Sequence, residues 1–367
     1  MRITKLLLAE CSIPLPRPIR LGPVLITTRD FVAVRLFAEN EVFGDAIGYP
    51  RGSALFDEVR TVAPYFLGND VFFRRSNWEQ AAGRLVNTRA AIMRALSLFD
   101  IAQADMVAKL LQQPLYKLHG GFRDSVPVMA VAGYYLADRS IDDVVREVSD
   151  LFDQGFTRVK IMLAGNDPSF DQRFAATVNA LAPGRVAADA HWSWGSVAEA
   201  LATCRLIDDM GLVFLEDPFG AHRNQFLPAL SRELRTPLAA GEDMPGPEAL
   251  LNLCGAVKVL RVDATTCGGF TAALSVSEAA GLKGCAVLPH VFTTLHAQLA
   301  GACPAIEMVE HIPHETGADP LGQLLLRPLD IADGMLRIDA EPGAGMALDW
   351  AAVERYAVRS ATLDTVV

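Results

Sequence analysis

Between Val126 and Glu310 the chain alternates short apolar runs with amphipathic helical stretches, and this alternation restricts the fold more than any other feature. The runs are VPVMAVA, RVKIML, RVAADA, LVFLED, PLAAGED, AVKVLRVDA, CAVLPH and IEMVE. One unit shows the grammar. Ser140 is an N-cap, Ile141, Val144, Val145, Val148, Leu151 and Phe152 share one helical face, and Gly155 ends the helix before RVKIML. A helix with such a face must bury it against a sheet. Eight strand-like runs separated by helices predict an α/β protein, a parallel (β/α)8 barrel of the TIM type rather than an open sheet.

The flanks differ in texture. Residues 1–125 mix strand-like and helical segments and read as an N-terminal α+β domain. Within it, FVAVRLFAENEVFGDAIGY predicts a hairpin with its turn near Glu39 to Glu41, and RAAIMRALSLFDIAQADMVAKLLQQPL predicts a helix that breaks near Pro114. Residues 126–327 form the barrel. The tail, 328–367, carries a strand-like MLRIDA and a Gly/Pro-rich EPGAGMALD, and is expected to leave the barrel and pack against the N-terminal domain.

Composition excludes several classes. With 51% hydrophobic and 21% charged residues, the chain has a globular enzyme's makeup. Lysine and arginine total 33 against 43 acidic residues, and no basic run exists to neutralise a phosphate backbone, so nucleic acid is not an expected partner. The only apolar run near the start, Leu6 to Ala9, ends at Glu10, too short for a signal core or a membrane span, and a cytoplasmic protein is expected. The six cysteines are widely spaced without a Cys-x-x-Cys pair, which predicts buried free thiols in a reducing compartment.

In barrels of this kind the carboxyl ends of the strands converge on the active site. Charged residues sit at those ends here: Lys160 closes RVK, Asp189 closes VAAD, Glu216 closes VFLE, Glu242 closes LAAGE, Asp263 closes LRVD, His290 closes AVLPH and Glu310 closes IEMVE. From Asp189 onward the separations are 27, 26, 21, 27 and 20 residues, each one βα unit long. A single carboxylate after a strand ordinarily caps a helix. Three on successive strands repel one another unless a cation holds them, and an all-oxygen set suits a hard ion such as Mg2+. Beside Asp263, which fixes its tautomer and raises its basicity, His290 is a candidate general base. In VAADAHWSW, Asp189 and His191 stand two residues apart, so a continuing strand turns both toward one site.

This ordered set, with Glu216 in LEDP, Glu242 in AAGED and Asp263 in VDATTCGGF, resembles the enolase superfamily, and specifically its mandelate racemase branch. The resemblance spans essentially the whole chain, from an N-terminal capping domain to a returning tail. It implies that Asp189, Glu216 and Glu242 bind Mg2+, which holds the carboxylate of a small-molecule substrate. It further implies that a base removes the proton alpha to that carboxylate while the metal, Lys160 and Glu310 stabilise the enediolate, chemistry general to that superfamily. Enzymes resembling this one commonly form homo-oligomers. Their capping domain sets specificity, which makes Arg17, Arg20, Tyr49 and Arg51 candidates to read substrate hydroxyls or a distal carboxylate.

One position departs from the racemase pattern. That pattern places a second lysine two residues after the first, where this sequence has Met162. A thioether cannot accept a proton at neutral pH, so two-base racemisation loses a base and the muconate cycloisomerase pattern is disfavoured too. Elimination needs one base and one acid. The Asp-x-His at 189–191 resembles galactonate and mannonate dehydratases, in which that histidine lies near the leaving group, and His191 is the candidate acid. The expected activity is Mg2+-dependent dehydration of an aldonic or aldaric acid to a 2-keto-3-deoxy acid. Its alternatives are a 2-hydroxy-acid racemase or epimerase and a non-catalytic carboxylate-binding barrel. Trp192 and Trp194 are expected to pack near the site, and His119, His222, His296, His311 and His314 to be solvated.

Overall fold

A computed structural model describes residues 1–365. The chain opens with β1 (Ile3–Leu21), which reverses at Gly22 into β2 (Val24–Ala38). β2 reverses again at residues 39–42 into β3 (Phe43–Gly48), the expected hairpin. The helix Met93–Leu110 lies against this sheet and is buried on nearly every face. Its polar side chains satisfy backbone N–H groups of other segments, as burial requires. Asp100 accepts from the Thr271 N–H at 2.9 Å, Ser97 Oγ from Gly268 at 2.9 Å, and Asp105 from Asp45 at 2.9 Å and Ala344 at 2.7 Å. These bonds tie the N-terminal domain to the segments that follow.

The barrel strands are β4 (Ser125–Ala132), β5 (Arg158–Met162), β6 (Val186–Asp189), β7 (Leu215–Glu216), β8 (Leu238–Ala240), β9 (Val259–Leu260), β10 (Ala286–Val287) and β11 (Val309–His311). Consecutive strands pair in parallel from β4 to β10. β11 pairs in parallel with β4, and a Val287–Ile306 bridge spans the remaining gap, so the barrel closes. The predicted helix runs Ile141–Asp153, and Ser140 and Asp143 form a reciprocal capping box at its start. Inside the barrel, Met129, Ala187, Phe214, Ala239, Leu288 and Met308 form a separate apolar cluster, the floor beneath the polar strand ends.

The tail divides: Ala344 and Leu348 donate to Asp105 and Asp45 of the N-terminal domain, whereas its strand-like run takes another path. MLRIDA does not reach the N-terminal domain: β12 (Ile331–Ala332) and β13 (Met335–Arg337) form a hairpin whose second strand runs antiparallel to β4. Only β14 (Ala357–Asp364) joins the N-terminal sheet, beside β1. A run of alternating apolar residues specifies a strand but not the edge it pairs with. All six cysteines are free thiols, and among the described residues no helix is long and apolar enough to cross a membrane.

Candidate active site

Strand alternation carries seven charged residues to one end of the barrel, and the structure brings all of them together. Lys160 Nζ lies 3.0 Å from Asp189 Oδ2, 2.9 Å from Glu216 Oε2 and 2.5 Å from Glu310 Oε1. Burial works against its charge, but Asp189, Glu216 and Glu310 outweigh that and hold the ammonium well above the usual lysine range. Lys160 is therefore a fixed cation. Burial raises Asp189 and pushes Glu216 up to about 7, with Lys160 and Arg261 opposing the shift in Glu216.

Two members of this cluster escaped the sequence reading. Arg261, wholly buried, donates from Nε to Glu216 Oε1 at 2.7 Å and from Nη2 to Glu310. It stands two residues before Asp263 in VLRVD, so strand alternation had already turned it toward the same interior. Asp217 follows Glu216 with a φ of 39°, and burial together with Glu242 and Glu216 raises its carboxyl well above the usual range. The tightest acidic group is in fact Glu216, Asp217 and Glu242, with one oxygen from each within 4.8 Å of the others. Asp189 stands beside that group, joined to Glu216 through Lys160.

His290 Nδ1 is 3.0 Å from Asp263 Oδ2, and its Nε2 is 3.1 Å from Arg51 Nη2. A guanidinium offers donors only, so Nε2 presents its lone pair and Nδ1–H donates to Asp263. This is the tautomer a general base needs. Glu242 Oε2 lies 3.3 Å from the same Nε2. Asp263 is further fixed by Thr265, whose N–H and hydroxyl both donate to Oδ1 at 2.7 Å.

His191 faces the same cavity, its backbone N–H donating to Asp189 Oδ1 at 2.9 Å. Burial and the Lys160 charge push its imidazole down to about 3, so it is neutral at physiological pH and offers one donor and one acceptor. Trp192 packs edge-on to His191, and its Nε1 donates to Asp217 Oδ2 at 2.9 Å. Trp194 is buried packing, its Nε1 bonded to the Gly165 carbonyl at 3.0 Å.

The N-terminal candidates divide. Arg51 reaches the site, donating to Glu242 Oε1 at 2.8 Å and Asp243 Oδ2 at 3.1 Å. Tyr49 lines the cavity between Phe31 and Phe292, with ring centroids 5.1 and 4.7 Å away. Arg17 and Arg20 do not line it. Both are exposed, and Arg17 stacks on the Tyr135 ring instead. Their neighbours Leu21 and Arg29 line the cavity in their place, because β1 and β2 cross its mouth at a register that a loop reading could not supply. His296 also departs from expectation. It is fully buried, accepting from the Ala264 N–H at 3.1 Å while its Nδ1 meets the Val291 carbonyl at 2.6 Å.

Residues 143–352 match the family model described as Enolase C-terminal domain-like. The chain belongs to the enolase superfamily. Its relatives are enzymes of more than one activity. It is 26% identical over 365 residues to an L-talarate/galactarate dehydratase of Salmonella typhimurium, covering 95% of this chain and 89% of that one. It is 24% identical to an L-Lys-D/L-Arg epimerase of Methylococcus capsulatus, covering 94% of this chain and 99% of the epimerase. The crystal structure of an L-talarate dehydratase from Polaromonas sp. JS666, complexed with Mg and L-glucarate, superposes over the full length of both chains with a TM-score of 0.88 at 25% identity. The superfamily's architecture, an N-terminal capping domain on a (β/α)8 barrel, is the architecture found here.

Proposed function

We propose that this enolase-superfamily member is a Mg2+-dependent dehydratase of a sugar acid, converting an aldonic or aldaric acid to a 2-keto-3-deoxy acid. The observation that carries the reading is one-sided basicity. His290, oriented by Asp263 at 3.0 Å, points its Nε2 into the cavity, whereas Met162, opposite Asp189 in the β5–β6 register, offers no second base. The dehydratases among the relatives support it, and Met162 speaks against the two-base route of a racemase or epimerase.

The donor set fits a hard divalent ion: the converging oxygens of Glu216, Asp217 and Glu242, with Asp189 beside them, include no sulfur. Asp189, Glu216 and Glu242, the carboxylates at the ends of three successive barrel strands, are the residues we assign to hold Mg2+, as the resemblance to the superfamily implies. When bound, such an ion acidifies the alpha proton and neutralises charge developing on the substrate carboxylate. His290 Nε2 takes that proton, and Asp263 stabilises the imidazolium. Lys160, held cationic by its carboxylate neighbours, faces the developing negative charge. His191, neutral and lining the same cavity, donates a hydrogen bond to the departing beta hydroxyl, which leaves as water once it receives the proton taken up by His290.

A panel of aldonic and aldaric acids incubated with the protein and Mg2+, assayed for 2-keto acids, tests the reading. Formation of a 2-keto-3-deoxy acid is expected; alpha-deuterium exchange without elimination on every acid would transfer the assignment to an epimerase. Under the dehydratase reading His191→Asn depresses elimination far more than exchange, and equal loss of both would remove His191 from the leaving-group side.

A further inference from the structure

The cavity that holds Lys160, His191 and His290 leaves a free volume of only about 20 Å³. That is room for about one water, whereas small-molecule sites ordinarily span about 300–1,000 Å³. A second cavity of about 430 Å³ adjoins it, lined by Pro23, Trp192, His222, Arg223 and Asp243. Trp192 is the shared wall. Its position is fixed twice by Asp217, whose carbonyl accepts its backbone N–H at 2.7 Å and whose Oδ2 accepts the indole N–H at 2.9 Å. The barrel turn after β6 thus stands at the border between the reacting groups and the open space.

We propose that this outer cavity receives the far end of the substrate and that Arg223 there binds a second anionic group, which makes the preferred substrate a diacid. The proposal rests on the sugar-acid reading. Its basis is a count of which charges are already engaged. Asp243, the one carboxylate lining the outer cavity, is held by Arg94 at 2.6 Å and Arg51 at 3.1 Å. Arg51, whose guanidinium also lies over the Trp192 ring at 5.4 Å, is engaged by Glu242 as well.

Arg223 has no such partner: among the described residues no carboxylate lies within ion-pair distance of its guanidinium. Glu199 Oε2, which stands over the same glycine as Arg223 but outside ion-pair distance of it, accepts from the Gly195 N–H at 2.7 Å. Arg223 Nη1 lies over that same glycine, 2.9 Å from where a Cβ would stand, so a larger residue at 195 would displace it. His222 adds two ring nitrogens to the same wall. A cavity whose only acidic group is neutralised, and whose arginine is free to form a paired fork, is built for a carboxylate. Lys160 at one end and Arg223 at the other then select a molecule charged at both ends.

The test compares galactarate with galactonate, which differ only in a terminal carboxylate against a hydroxymethyl group, using the Mg2+-loaded full chain. Arg223→Gln is expected to lower the galactarate-to-galactonate ratio of kcat/KM by about tenfold or more, chiefly through the KM for galactarate. Arg223→Lys should restore part of the ratio, which a merely structural role for Arg223 would not predict. Thermal unfolding of each variant checks that the fold is kept. A ratio unchanged by Arg223→Gln overturns the proposal, while leaving the dehydratase reading intact if both acids are consumed. If neither acid reacts, the dehydratase reading loses its support on these substrates and calorimetric titration decides the inference alone. A preference for galactarate that disappears in Arg223→Gln upholds it; equal binding, or no binding, of the two acids refutes it.

Discussion

Arg261 Nε stands 2.7 Å from Glu216 Oε1 while its Nη2 reaches Glu310, so one wholly buried guanidinium holds carboxylates from two different strands. Its Nη1 donates to the Leu288 carbonyl at 3.0 Å, which leaves the group with partners on three sides. Removing one member of a buried pair strands the other charge, at a cost of about 3–5 kcal/mol. Arg261→Met is expected to destabilise the protein by that order in chemical denaturation. A loss under about 1 kcal/mol would mean that Lys160 alone suffices for both carboxylates.

His290 and Asp263 make a second pair whose loss should be read in chemistry and not in stability. General base catalysis contributes about 10²–10⁴-fold. His290→Asn is expected to slow alpha-proton exchange by that range while Tm shifts by a few degrees at most. Asp263→Asn should slow it as well, because an amide can offer its N–H to Nδ1 and favour the opposite tautomer. A His290→Asn enzyme with wild-type exchange would remove His290 from the mechanism.

The barrel and the ring of charges at its mouth were legible in the sequence because each rests on a local period. Two-residue alternation put Lys160, Asp189, Glu216 and Glu310 on the interior face, and the alternation of strands with helices set the first three one βα unit apart and Glu310 on the last strand. Arg261 obeyed the same rule and was passed over because it sits in mid-run instead of closing one. What was not legible depends on register across long distances. The crossing of β1 and β2 over the mouth decides that Arg29, and not Arg17 or Arg20, lines the cavity. Likewise, the place taken by MLRIDA depends on the N-terminal end of β4, Ser125 to Pro127, which β5 and β11 leave unpaired and no residue of the tail encodes by itself. His296 illustrates a third case, since a histidine inside a helix shows its backbone partners only after the neighbouring strands are placed.

A pH dependence follows from His311 at the end of β11. Burial pushes its imidazole down to about 4, below the ordinary value of 6.5. The unfolded chain therefore takes up a proton first, and between about pH 6.5 and pH 4 acidification favours unfolding through this group. Below pH 4 the folded form protonates too and the slope ends. A shift of this size corresponds to a few kcal/mol at most. Replacing His311 with Gln is expected to flatten the acid side of the stability profile over that window, measured as denaturation free energy against pH. An unchanged slope would show that His311 does not titrate differently in the two states.

Gly22, at the tip of the β1–β2 hairpin, meets His191 across the mouth of the site. Its φ is 52°, and a Cβ built there would lie 1.8 Å from the His191 carbonyl oxygen. Both facts require glycine: the backbone angle disfavours any side chain, and the approach leaves no room for one. The contact seats the hairpin on the turn that carries His191 and Trp192, beside the N-terminal residues Leu21 and Arg29 that line the cavity. Gly22→Ala must lift the tip by more than an ångström or push the 191–193 turn aside. Because the tip is exposed at Val24 and Leu25, the displacement should cost little global stability. The expected result is a KM for the sugar acid raised by about tenfold or more, with Tm lowered by only a few degrees, since closure over a substrate contributes to its positioning. Kinetics of the Gly22→Ala enzyme beside its melting curve separate the two effects. A normal KM with a large fall in Tm would mean that the hairpin serves the fold and not the site.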